Sequence, residues 1–149
     1  MDSREAAKNP KKDVESISAD VVDAAFHIHT DLGPGLLESV YEAVLTAALQ
    51  KRGLIVERQK LVSFDYDGMH FSDGLRVDLL VARMLVVELK SVEAIKPVHP
   101  KQLLTYLRLL KLPVGLLINF GAPTFKEGIK RVVNNHHSFA SSRLRVNQK

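Results

Sequence analysis

Two short apolar segments that carry charged residues constrain this chain more than any other feature of its sequence. The first is Val77-Asp78-Leu79-Leu80-Val81, and the second is Leu85-Val86-Val87-Glu88-Leu89-Lys90. Both have the length and the Val and Leu content of strands, and Ala82-Arg83-Met84 separates them as a turn would. The sequence therefore predicts a β-hairpin with ionisable side chains inside its strands.

The predicted hairpin brings two acidic residues together. If the strands are antiparallel and centred on Arg83, Asp78 lies directly opposite Glu88. Directly opposed side chains have Cβ atoms about 4.5–5.5 Å apart, and like charges so placed destabilise a sheet. A cation between the carboxylates would reverse that effect. Because side chains alternate between the faces of a strand, Lys90 should share a face with Glu88.

Two carboxylates and an ammonium group on one face predict a divalent-metal site. Mg²⁺ and Mn²⁺ prefer a small number of oxygen ligands, with positions left for water and a substrate phosphate. A lysine beside such a metal can orient or deprotonate the attacking water, or stabilise charge on the phosphate. The alternative is a salt bridge between Lys90 and Glu88 on a solvated sheet face, since Glu-x-Lys is a common tripeptide.

Composition excludes several other kinds of chemistry. The 149 residues contain no cysteine, which rules out disulfides, thiolate zinc sites, iron–sulfur clusters and a cysteine nucleophile. A hydrophobic content of 46% in a chain of this length indicates one domain with a sizeable core. The sequence has neither an apolar run long enough to cross a bilayer nor an apolar signal region, so we expect a soluble cytoplasmic protein.

Charge and hydrophobicity divide the chain into three predicted parts. Residues 1–17 mix basic and acidic side chains with little apolar content, which predicts a disordered leader. Residues 18–134 form the predicted domain, and residues 135–149 form a basic tail. From residue 126 onward, six Lys and Arg side chains accompany one acidic residue, Glu127. Such an end could attract a phosphate backbone, or it could serve only as a solubilising tail.

Apolar residues at helical spacing predict four helices. Their approximate positions are 18–32, 36–51, 97–110 and 124–133. Ser18 or Asp20 should cap the first helix, and Thr124 should cap the last. His27 and His29 are two residues apart on the first helix and cannot form an i, i+4 ligand pair, so we expect them to be structural or exposed.

Short apolar runs predict the strands between these helices. Besides the hairpin, they lie at about 55–57, 62–66, 69–71 and 113–120. The order of helices and strands predicts an α/β (α+β) fold in which helices flank a central mixed sheet.

Polar residues on two of the helices are candidates to complete the site. Glu38 lies in the first turn of the second helix, where the helix dipole alone would favour a carboxylate. It could also supply a third acidic group to the metal. Gln102 and Tyr106 are four residues apart and share one face of the third helix with His99. His99 could contact phosphate or cap its own helix.

Taken together, these segments resemble the small bacterial GxxExxY proteins. The signature is Gly35-Leu36-Leu37-Glu38-Ser39-Val40-Tyr41, and the similarity covers nearly all of residues 18–134. It includes both hairpin strands, Gln102-x-x-x-Tyr106 and Gly115-Leu116-Leu117-Ile118-Asn119-Phe120. That family is placed in the PD-(D/E)XK nuclease superfamily. The resemblance therefore implies a restriction-endonuclease-like core with the acidic and Glu-x-Lys strands adjacent.

The resemblance also implies an activity, which is hydrolysis of DNA phosphodiester bonds by a metal-bound water, with Mg²⁺ or Mn²⁺ as the cofactor. The implied metal ligands are the side chains of Asp78 and Glu88, the backbone carbonyl of Leu89, and Glu38. Lys90 would lie near the attacking water. Gln102 and Tyr106 would support the site and the substrate strand, as in RecB-type and lambda-exonuclease-like members.

The chain departs from the superfamily pattern in two places and leaves two other functions open. Val77 replaces the proline of the PD motif, a frequent variation, and the iron–sulfur cysteines of some RecB-type relatives are absent. An RNase with the same metal chemistry is one alternative. The other is a catalytically inactive module that binds nucleic acid or a protein partner. A chain this small has little room for a recognition domain, so it could form a homodimer or act beside a partner.

Overall fold

The computed structural model describes residues 12–135, which form a five-stranded sheet with helices on both faces. The elements in chain order are helix α1 (Val14–Leu32), helix α2 (Glu38–Lys51), strand β1 (Val56–Tyr66), strand β2 (Met69–Val81), strand β3 (Leu85–Lys90), helix α3 (Val98–Leu110), strand β4 (Val114–Asn119), helix α4 (Phe125–Gly128) and strand β5 (Ile129–Val133). The strand order is β1-β2-β3-β4-β5. Strands β3 and β4 are parallel, and the other neighbouring pairs are antiparallel. This arrangement confirms the predicted mixed sheet flanked by helices.

Two layers of helices bury the centre of the sheet. On one face, α1 and α2 pack against the sheet through residues such as Ala25 and Leu45. On the other face, Leu103 and Leu107 of α3 pack against the sheet. Strand β4 is buried along its whole length, as predicted for residues 113–120, and β3 is buried up to Leu89. A charged residue within β3 therefore lies in the interior of the protein.

Helix α1 begins earlier than predicted. Its N-cap is Asp13, whose side chain accepts a hydrogen bond from the backbone N–H of Ser16 at 2.9 Å, so the predicted caps Ser18 and Asp20 are wrong. Ile17 is buried in the core. The boundary predicted at residue 18 therefore falls inside a helix, because Val14 and Ile17 already pack in the core. The rest of the predicted leader, up to residue 11, and the tail from residue 136 lie outside the described residues.

The C-terminal end of the fold also differs from prediction. Thr124 caps α4 as predicted, accepting a hydrogen bond from Glu127 N–H at 3.2 Å, but this helix ends at Gly128. Residues 129–133 form strand β5, so the predicted helix through Val133 is wrong. Strand β5 pairs with β4, from Ile118 opposite Ile129 to Val114 opposite Val133. Pairing satisfies the backbone groups at the edge of a buried strand, which an amphipathic helix could not do.

Strands β1 and β2 form one long hairpin instead of the separate short strands that were predicted. They pair from Val56 opposite Val81 to Tyr66 opposite Met69, around a turn at Asp67-Gly68. A register shift interrupts the pairing of β1 with β2 between Val62 and Phe64. Within residues 12–135, none of the helices is both long and apolar enough to cross a membrane.

Tyr41, the last residue of the Gly35–Tyr41 signature, fixes the loop that leads into α2. Its ring is fully buried and stacks on Phe120, with ring centroids 4.5 Å apart. Its hydroxyl donates to Gly33 O at 2.5 Å and accepts from Leu36 N–H at 3.2 Å. Two glycines of this loop, Gly33 and Gly35, have positive φ. The loop conformation sets where α2 starts, and hence where Glu38 lies.

Tyr41→Phe should therefore destabilise the fold without creating a cavity. The ring stacking remains, but two backbone groups lose their partner, which should lower the free energy of unfolding by about 1–3 kcal/mol. Urea denaturation measures this change. Tyr66→Phe is the matched control, because Tyr66 is 65% exposed and should show no loss. Equal stability of the two variants would contradict the role of the Tyr41 hydroxyl.

Candidate active site

Strands β2 and β3 separate where the predicted acidic pair lies. Their backbone pairing covers Leu79 opposite Val87, Leu80 opposite Val86 and Val81 opposite Leu85, which is the predicted register. The next residues on this register are Asp78 and Glu88. Asp78 N–H donates to Glu88 Oε2 at 2.9 Å, and Leu89 N–H donates to Asp78 Oδ2 at 2.8 Å. The carboxylates therefore fill the gap between the strands, where each accepts a backbone hydrogen bond from the opposite strand.

The environment of Glu88 disfavours its negative charge. Glu88 is only 8% exposed. Burial, followed by the nearby charge of Asp78, raises the pKa of Glu88 to about 8. The backbone N–H of Asp78 and the charge of Lys90 oppose this rise. Without a cation, the acidic pair therefore retains a proton near neutral pH.

This raised pKa predicts how the stability of the metal-free protein depends on pH. Because the pKa of Glu88 is about 8 in the folded state against 4.5 for an ordinary Glu, the native protein holds this proton more tightly than the unfolded chain. The stabilisation is fully present below pH 4.5 and is lost as the pH rises towards 8. The loss should be on the order of a few kcal/mol.

Urea denaturation in EDTA at several pH values measures this dependence, and Glu88→Gln isolates the contribution of Glu88 from that of other titrating groups. As the pH rises from 5 to 8, Glu88→Gln should become increasingly more stable than the wild type. Parallel pH profiles would contradict the assignment.

Lys90 is partly buried at the end of β3, beside the acidic pair. Within residues 12–135, its ammonium group has no carboxylate oxygen within 4.0 Å, so the alternative salt bridge to Glu88 is not formed. The charge of Lys90 nevertheless opposes the rise in the pKa of both Glu88 and Glu38. Lys90 therefore adds a positive charge to the site without forming an ion pair with one particular carboxylate.

Glu38 approaches the acidic pair from the N-terminus of α2. Desolvation by the surrounding protein, followed by the charge of Asp78, raises the pKa of Glu38, although the residue as a whole is exposed. In the part of the chain that the structure describes, however, no three His, Asp or Glu side chains are close enough together to hold a metal ion. Glu38 is thus in electrostatic range of Asp78 but outside a common ligand cluster. Its role as a ligand stays a prediction.

Helix α3 places Gln102 and Tyr106 beside the same pair. Gln102 Nε2 donates to the Tyr106 hydroxyl at 3.0 Å, as their i, i+4 spacing allows. Burial, followed by the charges of Glu88 and Asp78, raises the pKa of Tyr106. Because the phenol oxygen accepts from Gln102, its own proton is directed elsewhere and can be donated to a substrate oxygen.

The three histidines singled out in the sequence have structural or exposed positions. His99 Nδ1 accepts from Lys96 N–H at 3.2 Å, so His99 fixes the turn that leads into α3. His29 is buried, with Nε2 2.8 Å from Ala122 O, and His27 is exposed.

A group of polar residues on α2 and β1 lies beside Asp78 and was not predicted from the sequence. Glu42 is only 7% exposed, and it accepts hydrogen bonds from Arg58 Nε at 3.0 Å and Gln59 Nε2 at 2.7 Å. Gln59 Nε2 also lies 3.5 Å from Asp78 Oδ1. One signal could have found Glu42, since it is one helical turn after Glu38 and on the same face.

A family model described as the PD-(D/E)XK nuclease superfamily matches residues 15–132 of this chain. The matched range includes Glu38, Asp78, Glu88, Lys90 and the Gln102–Tyr106 pair. Among curated proteins and among solved structures, no significant match exists. The narrower resemblance to the GxxExxY proteins stays a prediction from the signature.

Proposed function

The chain belongs to the PD-(D/E)XK nuclease superfamily, and we propose that it hydrolyses phosphodiester bonds of DNA with Mg²⁺ or Mn²⁺ as the cofactor. One observation carries the proposal. The carboxylates of Asp78 and Glu88 face each other in a gap between two strands, beside a lysine that makes no ion pair within residues 12–135. Nothing in the core requires two opposed carboxylates, so a functional cation is the simplest reason for the pair.

The residues present fit a divalent cation. Nucleases of this superfamily generally use divalent metals. Asp78 and Glu88 offer hard oxygen ligands, and the backbone carbonyl of Leu89, the residue after Glu88, would add another. Glu38, in electrostatic range of Asp78, would be a further ligand. A bound cation would offset the repulsion that raises the pKa of Glu88. It would supply the polarisation of a phosphate oxygen and the acidification of water that hydrolysis needs.

The side chains around the pair would orient the substrate. The Lys90 ammonium group can donate to a phosphate oxygen and stabilise the negative charge that develops as the bond breaks. The Tyr106 hydroxyl can donate to a second phosphate oxygen, because Gln102 holds it as an acceptor at 3.0 Å and leaves its proton available. These two donors belong to β3 and α3, so they would bind the phosphate from two different elements.

DNA is proposed as the substrate, and a cleavage assay tests this choice. End-labelled single-stranded DNA, double-stranded DNA and RNA of one sequence would be incubated with Mg²⁺, Mn²⁺ or EDTA. Metal-dependent DNA products would support the proposal, and the product ladder would show whether cleavage starts at an end. Products from RNA alone would reassign the substrate. Salt-sensitive DNA binding without products would favour the inactive module. Homodimerisation, a protein partner and cytoplasmic location stay predictions from the sequence.

A further inference from the structure

The backbone of β1 is irregular opposite Asp78. Strand β1 pairs with β2 on both sides of this point, with Arg58 opposite Leu79 and Lys60 opposite Val77. Gln59, which lies between them, has a φ of 46°. A positive φ is uncommon for a residue with a Cβ, and it is unfavourable inside a strand. The unusual conformation therefore falls beside a residue that the proposed function assigns to the cation.

The side chains of β2 also stop alternating regularly between the two faces of the sheet at Asp78. Residues two apart in a regular strand share a face. Val77, however, belongs to the core cluster of α3, whereas Leu79 belongs to the cluster of α1 and α2. Asp78 lies between them. Because the alternation breaks at Asp78, the direction of its side chain is not determined by regular strand geometry and needs further contacts.

The Gln59 side chain supplies one of those contacts. Its Nε2 lies 2.7 Å from Glu42 Oε1 and 3.5 Å from Asp78 Oδ1. An ionised carboxylate can only accept hydrogen bonds, so buried Glu42 selects the NH₂ group of the amide and turns the carbonyl away. The NH₂ group has two hydrogens. One serves Glu42, and the other is therefore available to Asp78.

Asp78 is then held through both of its carboxylate oxygens. Oδ2 accepts from Leu89 N–H at 2.8 Å, and Oδ1 faces Gln59. Each oxygen keeps a further lone pair, so these contacts orient the carboxylate without preventing it from binding a cation. Groups that hydrogen-bond to metal ligands in this way typically change metal affinity or activity by about 10–100-fold.

We propose that Gln59 is a positioning residue. Buried Glu42 orients the Gln59 amide, and this amide holds the Asp78 carboxylate towards the divalent cation. The inference rests on the function proposed above. Arg58 has a different task in the same group. It neutralises Glu42 through a 3.0 Å contact and makes no hydrogen bond to Asp78. On β1, Gln59 thus positions Asp78, and its neighbour Arg58 supports Glu42.

Gln59→Met tests the proposal, because Met keeps the length of the side chain and the strained backbone but removes the amide. Calorimetry with Mn²⁺ should show binding weakened by about tenfold or more. The Mn²⁺ concentration that half-saturates DNA cleavage should rise by a similar factor. Gln59→Gly also removes the amide but accommodates the positive φ. It should have a higher Tm than Gln59→Met and an equally weak affinity for Mn²⁺.

Lys60→Met is the matched control, because Lys60 is the other neighbour of Gln59 on β1 and forms only an ion pair with Glu57 at 3.1 Å. Its Tm and its affinity for Mn²⁺ should both stay close to those of the wild type. Equal weakening of Mn²⁺ binding in Lys60→Met and Gln59→Met would overturn the proposal, since any change of side chain on this part of β1 would then weaken the site. So would wild-type affinity in Gln59→Met when Glu88→Gln has lost binding. A wild-type protein that binds no Mn²⁺ would instead overturn the proposed function, and this inference with it.

Discussion

Glu88→Gln should reduce DNA cleavage on the order of 10³-fold or more while making the metal-free protein more stable above pH 8. Gln has nearly the same shape as Glu, and its carbonyl oxygen can still accept the hydrogen bond from Asp78 N–H. The change removes a buried negative charge next to Asp78, so the folded state loses an unfavourable interaction. It also removes an anionic ligand, so the cation should bind poorly.

Initial cleavage rates in Mn²⁺ and urea denaturation in EDTA at pH 8.5 measure both effects. Glu57→Gln is the matched control, because Glu57 is on the neighbouring hairpin and forms only a surface ion pair with Lys60 at 3.1 Å. Its stability should change by less than about 1 kcal/mol, and its cleavage rate should not change. Normal cleavage by Glu88→Gln would remove Glu88 from the site. A large loss of stability would show that the carboxylate has a structural role.

Lys90→Met should reduce cleavage by about 10²–10³-fold, as is typical when a donor that stabilises developing charge is removed. Met keeps much of the apolar stem, so the partly buried position should remain filled. The ammonium group has no carboxylate oxygen within 4.0 Å in residues 12–135, so its loss breaks no ion pair and should leave the fold intact. Because a cation near the metal opposes its binding, affinity for Mn²⁺ should rise slightly.

Rates under saturating Mn²⁺, Mn²⁺ calorimetry and thermal unfolding separate these three effects. Lys60→Met is the control, since it removes a lysine from an exposed ion pair on β1 and should leave cleavage unchanged. Unfolding of Lys90→Met at a much lower temperature than Lys60→Met would instead favour a structural role for Lys90. Cleavage at the wild-type rate would exclude it from the chemistry.

The opposition of Asp78 and Glu88 was predictable from the sequence because it depends on local structure. A three-residue turn fixes the register of a hairpin, and the Val and Leu side chains in both strands decide which face of each strand is buried. Ala82 and Arg83 adopt positive φ in that turn, and the strands pair in the predicted register. Asp78 and Glu88 are only ten positions apart in the sequence, so the hairpin alone brings them together.

The role of Gln59 could not be predicted in the same way. It depends on the pairing of β1 with β2, on the packing of α2 over the sheet, and on a φ angle that the sequence around Arg58-Gln59-Lys60 does not indicate. Strand β5 shows the same limit. Ile129, Val132 and Val133 fit a helical stripe as well as a strand, and the unpaired edge of β4, a non-local feature, decides between them.

The most direct test of a catalytic cation between Asp78 and Glu88 is Mn²⁺ calorimetry of the wild type and Glu88→Gln at pH 7. The titrations are run in two buffers of different ionisation enthalpy, and cleavage is followed on the same samples. Because the pKa of Glu88 is raised to about 8, binding to the wild type should release close to one proton, and cleavage should follow metal occupancy. Glu88→Gln should bind weakly, release no proton and cleave no DNA. Cleavage that persists in EDTA, or equally fast cleavage by both proteins, would contradict the account.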